Sequence, residues 1–233
     1  MKTLSPRRPA NISPYASACF RALRESGLSG YLSIGGALGL FHYFEYRFTH
    51  DADAWWHAEA GQEQRRQVVQ VIETALRSFG QTRTRKWGDV VSVELMQADK
   101  TVFSFQIASR DVQLRNWVWL EEEGIALDSL PDLIASKMTA LVERGAPRDF
   151  LDIFTLCSQN IVEPVECWSL WQERQARSGD NTDFERARLA IETHLERIAL
   201  HRPLESIPDT EQRMKAETLR RWFRESFLNT EHE

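Results

Sequence analysis

The chain has little cysteine: Cys19, Cys157 and Cys167 are its only thiols. An odd number without metal-type spacing excludes a disulfide scaffold and a cysteine metal site, and suits a reducing, cytoplasmic compartment. Long apolar runs are lacking too. The longest, Ile34 to Phe41, is far short of the roughly 20 residues a membrane helix needs, so no membrane segment is expected. Arg7 and Arg8 have no apolar stretch behind them, so no signal peptide is expected either. Nor is positive charge in excess: 29 basic against 34 acidic residues leave a net charge of −5. Bulk electrostatics therefore do not announce a nucleic-acid binder. Lysine is scarce, with 5 among the 29 basic residues; the rest are arginines, whose planar fork suits phosphate. The clusters Arg83, Arg85, Lys86 and Arg220, Arg221, Arg224 read either as solvated surface or as contacts to an RNA backbone. No internal repeat, low-complexity tract or long linker is present.

What is there reads as an α+β chain large enough to bury roughly 70% of its unfolded surface. A helix over 14–27 precedes a strand over 30–34 and a helix over 37–46, and a strand then runs from Asp51 toward Trp56. Val68, Val69, Ile72, Leu76 and Phe79 recur at helical spacing behind Gly61. From Thr82 the period becomes two: Val91, Val93 and Leu95 alternate with polar residues, as do Phe103, Phe105 and Ile107. A three-residue loop, Gln97-Ala98-Asp99, would put both apolar sets on one face. Trp117 and Trp119 alternate in strand fashion within a strand or bridge over 111–120. Ser129, Pro131 and Asp132 mark a helix start. Pro147 and Asp149 open the next helix, with Asp149 as N-cap, and two more helices follow near 182–200 and 209–228. The expected organisation is an α+β domain over 1–127 and a helical domain over 128–233, packed on it.

Three features carry chemistry. Gly35-Gly36 lies between a strand and a helix, where backbone N–H groups favour a phosphate. Asp51 and Asp53, at i and i+2, project from one strand face roughly 6.5–7 Å apart. That spacing suits shared hard cations such as Mg²⁺. Lys137 falls on the apolar stripe of Leu133, Ile134, Met138 and Leu141, where a lysine needs an acid, a phosphate or a route to water. Each also has a structural reading: a tight turn, helix caps, an ion pair. His50 and His57 flank the acids and invite a zinc or manganese reading, although strand alternation turns His50 away from the aspartates.

The ordered set of Gly35-Gly36, Asp51-x-Asp53, Lys137-x-x-Ala140-Leu141 and Arg148-Asp149-x-x-Asp152 resembles the AbiEii/AbiGii toxin nucleotidyltransferases over roughly residues 30–157. The resemblance implies a nucleotidyltransferase-like mixed sheet with flanking helices and a helical C-terminal half. It implies a Mg²⁺- (or Mn²⁺-) dependent enzyme moving a nucleotide from an NTP to an RNA (tRNA-like) or protein hydroxyl, as a toxin in a toxin–antitoxin or phage-defence system with a cognate antitoxin. On that reading Asp51 and Asp53 hold metal, and Gly35, Gly36, Arg47, Thr49 and Lys137 meet the nucleotide. Lys137 and Asp152 join the aspartates in catalysis. For Arg47, pairing with Asp51 or Glu45 is the alternative; for Asp152, a bridge to Lys137 or Arg148. Two positions depart from the family: Ala37 stands where Ser or Thr usually follows the glycines, and Gln106 where a third metal carboxylate is usual, with Glu94 as a substitute in another register. A degenerate protein that binds nucleotide or a partner without catalysis is the alternative function.

Overall fold

The computed structural model describes residues 1–230. The chain divides into two compact units, Leu4–Leu133 and Met1–Thr3 with Ile134 onward. The first is built on a mixed seven-stranded sheet in the order β3-β4-β5-β2-β1-β7-β6. Its strands are β1 (Leu32–Ile34), β2 (Asp51–Trp56), β3 (Gln81–Trp87), β4 (Val90–Gln97), β5 (Lys100–Ser109), β6 (Val118–Leu120) and β7 (Ile125–Leu127). β1 runs antiparallel to β2 and parallel to β7, and β2 runs parallel to β5.

One face of this sheet is apolar because alternate residues of each strand are. Ala52, Ala54, Trp56, Val93, Leu95, Phe103, Phe105 and Ile107 form a single core with α1 (Pro14–Glu25) and α3 (Gln62–Arg77). Phe20 and Leu23 enter it from α1, and Val68, Ile72 and Leu76 from α3. The opposite face carries the polar alternates of the same strands.

The β4–β5 hairpin differs from the expected one. Gln97 pairs with Lys100, so the loop is Ala98-Asp99 alone. Both residues have left-handed φ, 46° and 61°, as a tight primed turn requires. The face parity comes instead from a bulge: Leu95 pairs with Phe103 but Met96 with Thr101, which leaves Val102 as the extra residue. The helix expected over 37–46 is α2, Gly36–Phe41. Strand β7 and helix α6 were not legible, β7 being three residues long; β3 covers the start of the period of two expected from Thr82 but lacks an apolar face.

From Leu130 the chain is helical: α4 (Leu130–Glu143), α5 (Pro147–Ser158), α6 (Pro164–Ser178), α7 (Phe184–His201) and α8 (Thr210–Trp222), which ends in a wider turn over Phe223–Phe227. In the second unit Trp168 lies 4.6 Å from Phe184 and 5.3 Å from Phe227, ring to ring. Phe150 meets Phe223 at 4.8 Å. Asp149 is the third residue of α5, and Ala146 is the N-cap; the Asp149 carboxylate still serves the helix start, accepting from the Ala146 N–H at 3.1 Å. All three cysteines are buried thiols. No helix among the described residues is long and apolar enough to cross a membrane.

Candidate active site

The glycine pair and the aspartates are in direct contact. β1 ends at Ile34, which pairs with Ala54 of the antiparallel β2, and this brings the turn beside Asp53. The Gly35 N–H donates to the Asp53 carbonyl at 2.8 Å, so it is committed to the strands rather than left for a phosphate. Gly36 has φ +58°, and a Cβ there would stand 2.1 Å from an Asp53 carboxylate oxygen. A Cβ on Gly35 would stand 2.4 Å from the Trp55 indole nitrogen and 3.0 Å from an Asp128 oxygen. Only glycine lets the turn sit this close to a carboxylate.

Asp51, Asp53 and Trp55 alternate onto the polar face of the sheet. The Thr49 hydroxyl donates to the Asp51 carboxylate. Arg47 lies over the rings of Phe41 and Tyr46, 5.6 and 5.8 Å from their centroids. Glu45 accepts from the Ala10 and Asn11 N–H groups.

The register fixes what neighbours the aspartates. Asp51 pairs with Ser104 and Asp53 with Gln106 across the parallel β2–β5 pair. Gln106 therefore stands beside Asp53, about 4.8 Å away across the sheet, and its amide nitrogen reaches the Ser104 hydroxyl at 3.3 Å. Glu94 cannot replace it. It lies one strand further out, opposite Ser104, and its carboxylate is held by Arg83 at 2.5 and 2.9 Å. Among the described residues no three His, Cys, Asp or Glu side chains gather as a metal site. Two carboxylates and an amide oxygen are nevertheless hard oxygen donors on one face. They suit one Mg²⁺, an ion commonly held by one or two carboxylates with substrate phosphates completing its shell.

The histidines do not extend this set. The His50 ring meets Phe48 at 4.9 Å. His57, past the far end of β2, stacks on Trp117 and has Nδ1 2.8 Å from the Gly30 carbonyl. A carbonyl only accepts, so Nδ1 carries the proton. Burial holds this imidazole below the ordinary histidine range.

A buried network behind the turn escaped sequence reasoning. Asp128 follows β7; its carboxylate accepts from Ser33 at 2.8 Å and from Arg110. Its N–H donates to the Ile34 carbonyl at 2.9 Å, and its own carbonyl accepts from the Tyr43 hydroxyl at 3.0 Å. Asp128 is thus strapped to both ends of the glycine turn and α2. Burial pushes its carboxyl above the usual carboxylate range, opposed by the Arg110 guanidinium. Asp132 accepts from the Leu114 and Arg115 N–H groups at 2.7 and 2.9 Å. An acid after a three-residue apolar run gives no periodic signal, and its partners are remote in sequence.

In the second unit Lys137 bonds to Asp152 at 2.7 Å, with the two side chains 9% and 0% exposed. Arg144 holds Asp149 through two bonds of 2.9 Å. Lysine on the apolar stripe of α4 is therefore met by an acid of α5. Removing one partner of a buried pair leaves an uncompensated charge, at a cost of about 3–5 kcal/mol. We expect Asp152→Ala to lose about that much in denaturant unfolding, and Lys137→Met with Asp152→Leu to recover most of it. Wild-type stability in the single variant would refute this account.

A family model described as "Nucleotidyl transferase AbiEii toxin, Type IV TA system" matches residues 21–226. No curated protein matches the chain. Among solved structures, an antigenic nucleotidyltransferase-like protein from Paracoccidioides brasiliensis is similar at 13% identity and a TM-score of 0.40, over 91% of this chain and 95% of the other.

Proposed function

The chain belongs to the AbiEii nucleotidyltransferase toxin family, and from that premise we propose that it transfers a nucleotide from an NTP to a hydroxyl of RNA or protein, with Mg²⁺ or Mn²⁺ as cofactor. The observation that carries this reading is the Asp53 carboxylate lying against Gly36, with Asp51 on the same strand face. The glycine turn and the paired hard-ion ligands meet there.

Asp51 and Asp53 would hold the cation, with the Gln106 amide oxygen as neighbour. When bound, it supplies charge neutralisation of the phosphates and polarisation of the transferred phosphorus. Thr49 fixes the Asp51 carboxylate. The acceptor hydroxyl attacks the α-phosphorus, the bond to the β-phosphate oxygen breaks, and pyrophosphate leaves. The hydroxyl proton passes to Asp53 or to solvent, because the Gln106 amide cannot take it. Arg47 is assigned to the nucleotide phosphates; for Lys137, bonded to Asp152, a phosphate-binding role is proposed from the family motif Lys137-x-x-Ala140-Leu141 alone. The Type IV toxin–antitoxin assignment of the family supports a cognate antitoxin as partner.

Gln106 beside Asp53 favours a second reading, a protein that binds nucleotide without transferring it. One assay separates the two. The protein is incubated with Mg²⁺, total cellular RNA and each α-labelled NTP in turn, with and without excess chelator. Chelator-sensitive label in a discrete RNA or protein band is expected. Absence of label for all four nucleotides would overturn the transferase reading in favour of the second.

A further inference from the structure

The basic cluster near residue 85 is divided by the sheet. Arg83, Arg85 and Trp87 alternate onto one face of the edge strand β3, and Thr84 and Lys86 onto the other. The pairing identifies the first face. Arg85 opposes Ser92, Ser92 opposes Gln106, and Gln106 opposes Asp53. Arg83 likewise continues the row of Glu94, Ser104 and Asp51. Both arginines and Trp87 therefore share the polar face with the aspartates. Two guanidinium groups meet the one Glu94 carboxylate, Arg83 closely and Arg85 at 3.8 Å, so the outer strand keeps positive charge. Trp87 is 49% exposed on that face, which leaves its ring accessible for a base to stack on.

We propose that this row is the acceptor track: a single-stranded RNA end lies across the sheet from Asp53 to Arg85, with a backbone phosphate at Arg85 and Arg83 and a base on Trp87. Phosphate-binding arginines beside an exposed aromatic are the equipment for single-stranded nucleic acid. Gln106 and Ser104 place an amide and a hydroxyl under the path, the chemistry that can engage a 2′-hydroxyl. Three strand spacings separate Asp53 from Arg85, about 14 Å, or about four nucleotides at the stacked rise of 3.4 Å. The proposal rests on the transferase reading for the identity of the aspartate end, but its test does not use transfer.

Binding of a labelled RNA of about eight nucleotides, a dinucleotide and the matching DNA is measured with Mg²⁺ and no NTP. Arg85→Ala combined with Trp87→Ala lowers affinity for the longer RNA by about 10- to 100-fold and flattens its salt dependence by about 0.7 in log–log slope. The dinucleotide, too short to reach β3, is bound equally by both proteins, and the DNA is bound more weakly than the RNA. Lys86→Ala removes a charge from the same strand on the opposite face and leaves RNA affinity unchanged. Trp87→Phe, which keeps a stacking ring, retains most of the binding. Equal losses in the Lys86 and Arg85/Trp87 variants, DNA bound as well as RNA, or wild-type protein that binds no RNA would each overturn the track. Wild-type protein that binds RNA in this pattern yet transfers nothing would overturn the proposed function and leave the track standing.

Discussion

Replacing Gln106 with glutamate should raise the rate of nucleotide transfer by up to about a thousandfold. The substitution keeps the side-chain length and adds a negative charge beside Asp53, its register partner. A unit charge about 4 Å from a cation is worth roughly 4 kcal/mol at an effective dielectric of 20, which corresponds to about 10³ in rate when realised in the transition state. It also supplies a group able to accept the hydroxyl proton. The cost falls on the metal-free protein, where three carboxylates would crowd one face. The Gln106→Glu variant should therefore melt below wild type in chelator, and Mg²⁺ should raise its melting temperature more than that of wild type. Unchanged activity together with an unchanged response to Mg²⁺ would show that this position does not face the reacting centre.

Asp53→Ala should lower transfer by on the order of a thousandfold or more, by the same electrostatics in reverse, while the fold is retained. The backbone link between the glycine turn and β2 uses the Asp53 carbonyl, not its side chain, and survives the change. Circular dichroism should therefore report a folded variant with a cooperative thermal transition. A variant that loses activity and unfolds together would make Asp53 a structural residue. One that keeps full activity would remove it from the mechanism. Nucleotide binding, followed by fluorescence of a labelled NTP, should weaken in the presence of Mg²⁺ and change little in chelator.

How much of this was legible depended on the range of each signal. The helical stripes of α3, α4, α7 and α8 and the alternation of β4 and β5 are local patterns, and they gave the elements to within a few residues. The hairpin loop was misjudged because parity alone does not distinguish a longer loop from a bulge one pair away. Asp149 was displaced from N-cap to third helical residue because Pro147 takes the first position. Strand β3 had no apolar alternation to read, since it lies at the sheet edge with most of its side chains in solvent.

By itself the sequence determined the ingredients: a glycine pair between strand and helix, two aspartates on one strand face, a lysine on an apolar stripe, and an amide where the resemblance implies an acid. These follow from covalent order and local periodicity, which act over a few residues. The tertiary structure alone decided the partnerships. Asp53 rests against Gly36 and beside Gln106, Lys137 meets Asp152, Asp128 straps the turn through Ser33 and Arg110, and Arg85 is separated from Lys86 by the faces of one strand. Each joins residues distant in sequence or is set by which strand lies next to which. Strand order and register minimise the free energy of the whole buried face, and no local pattern encodes them.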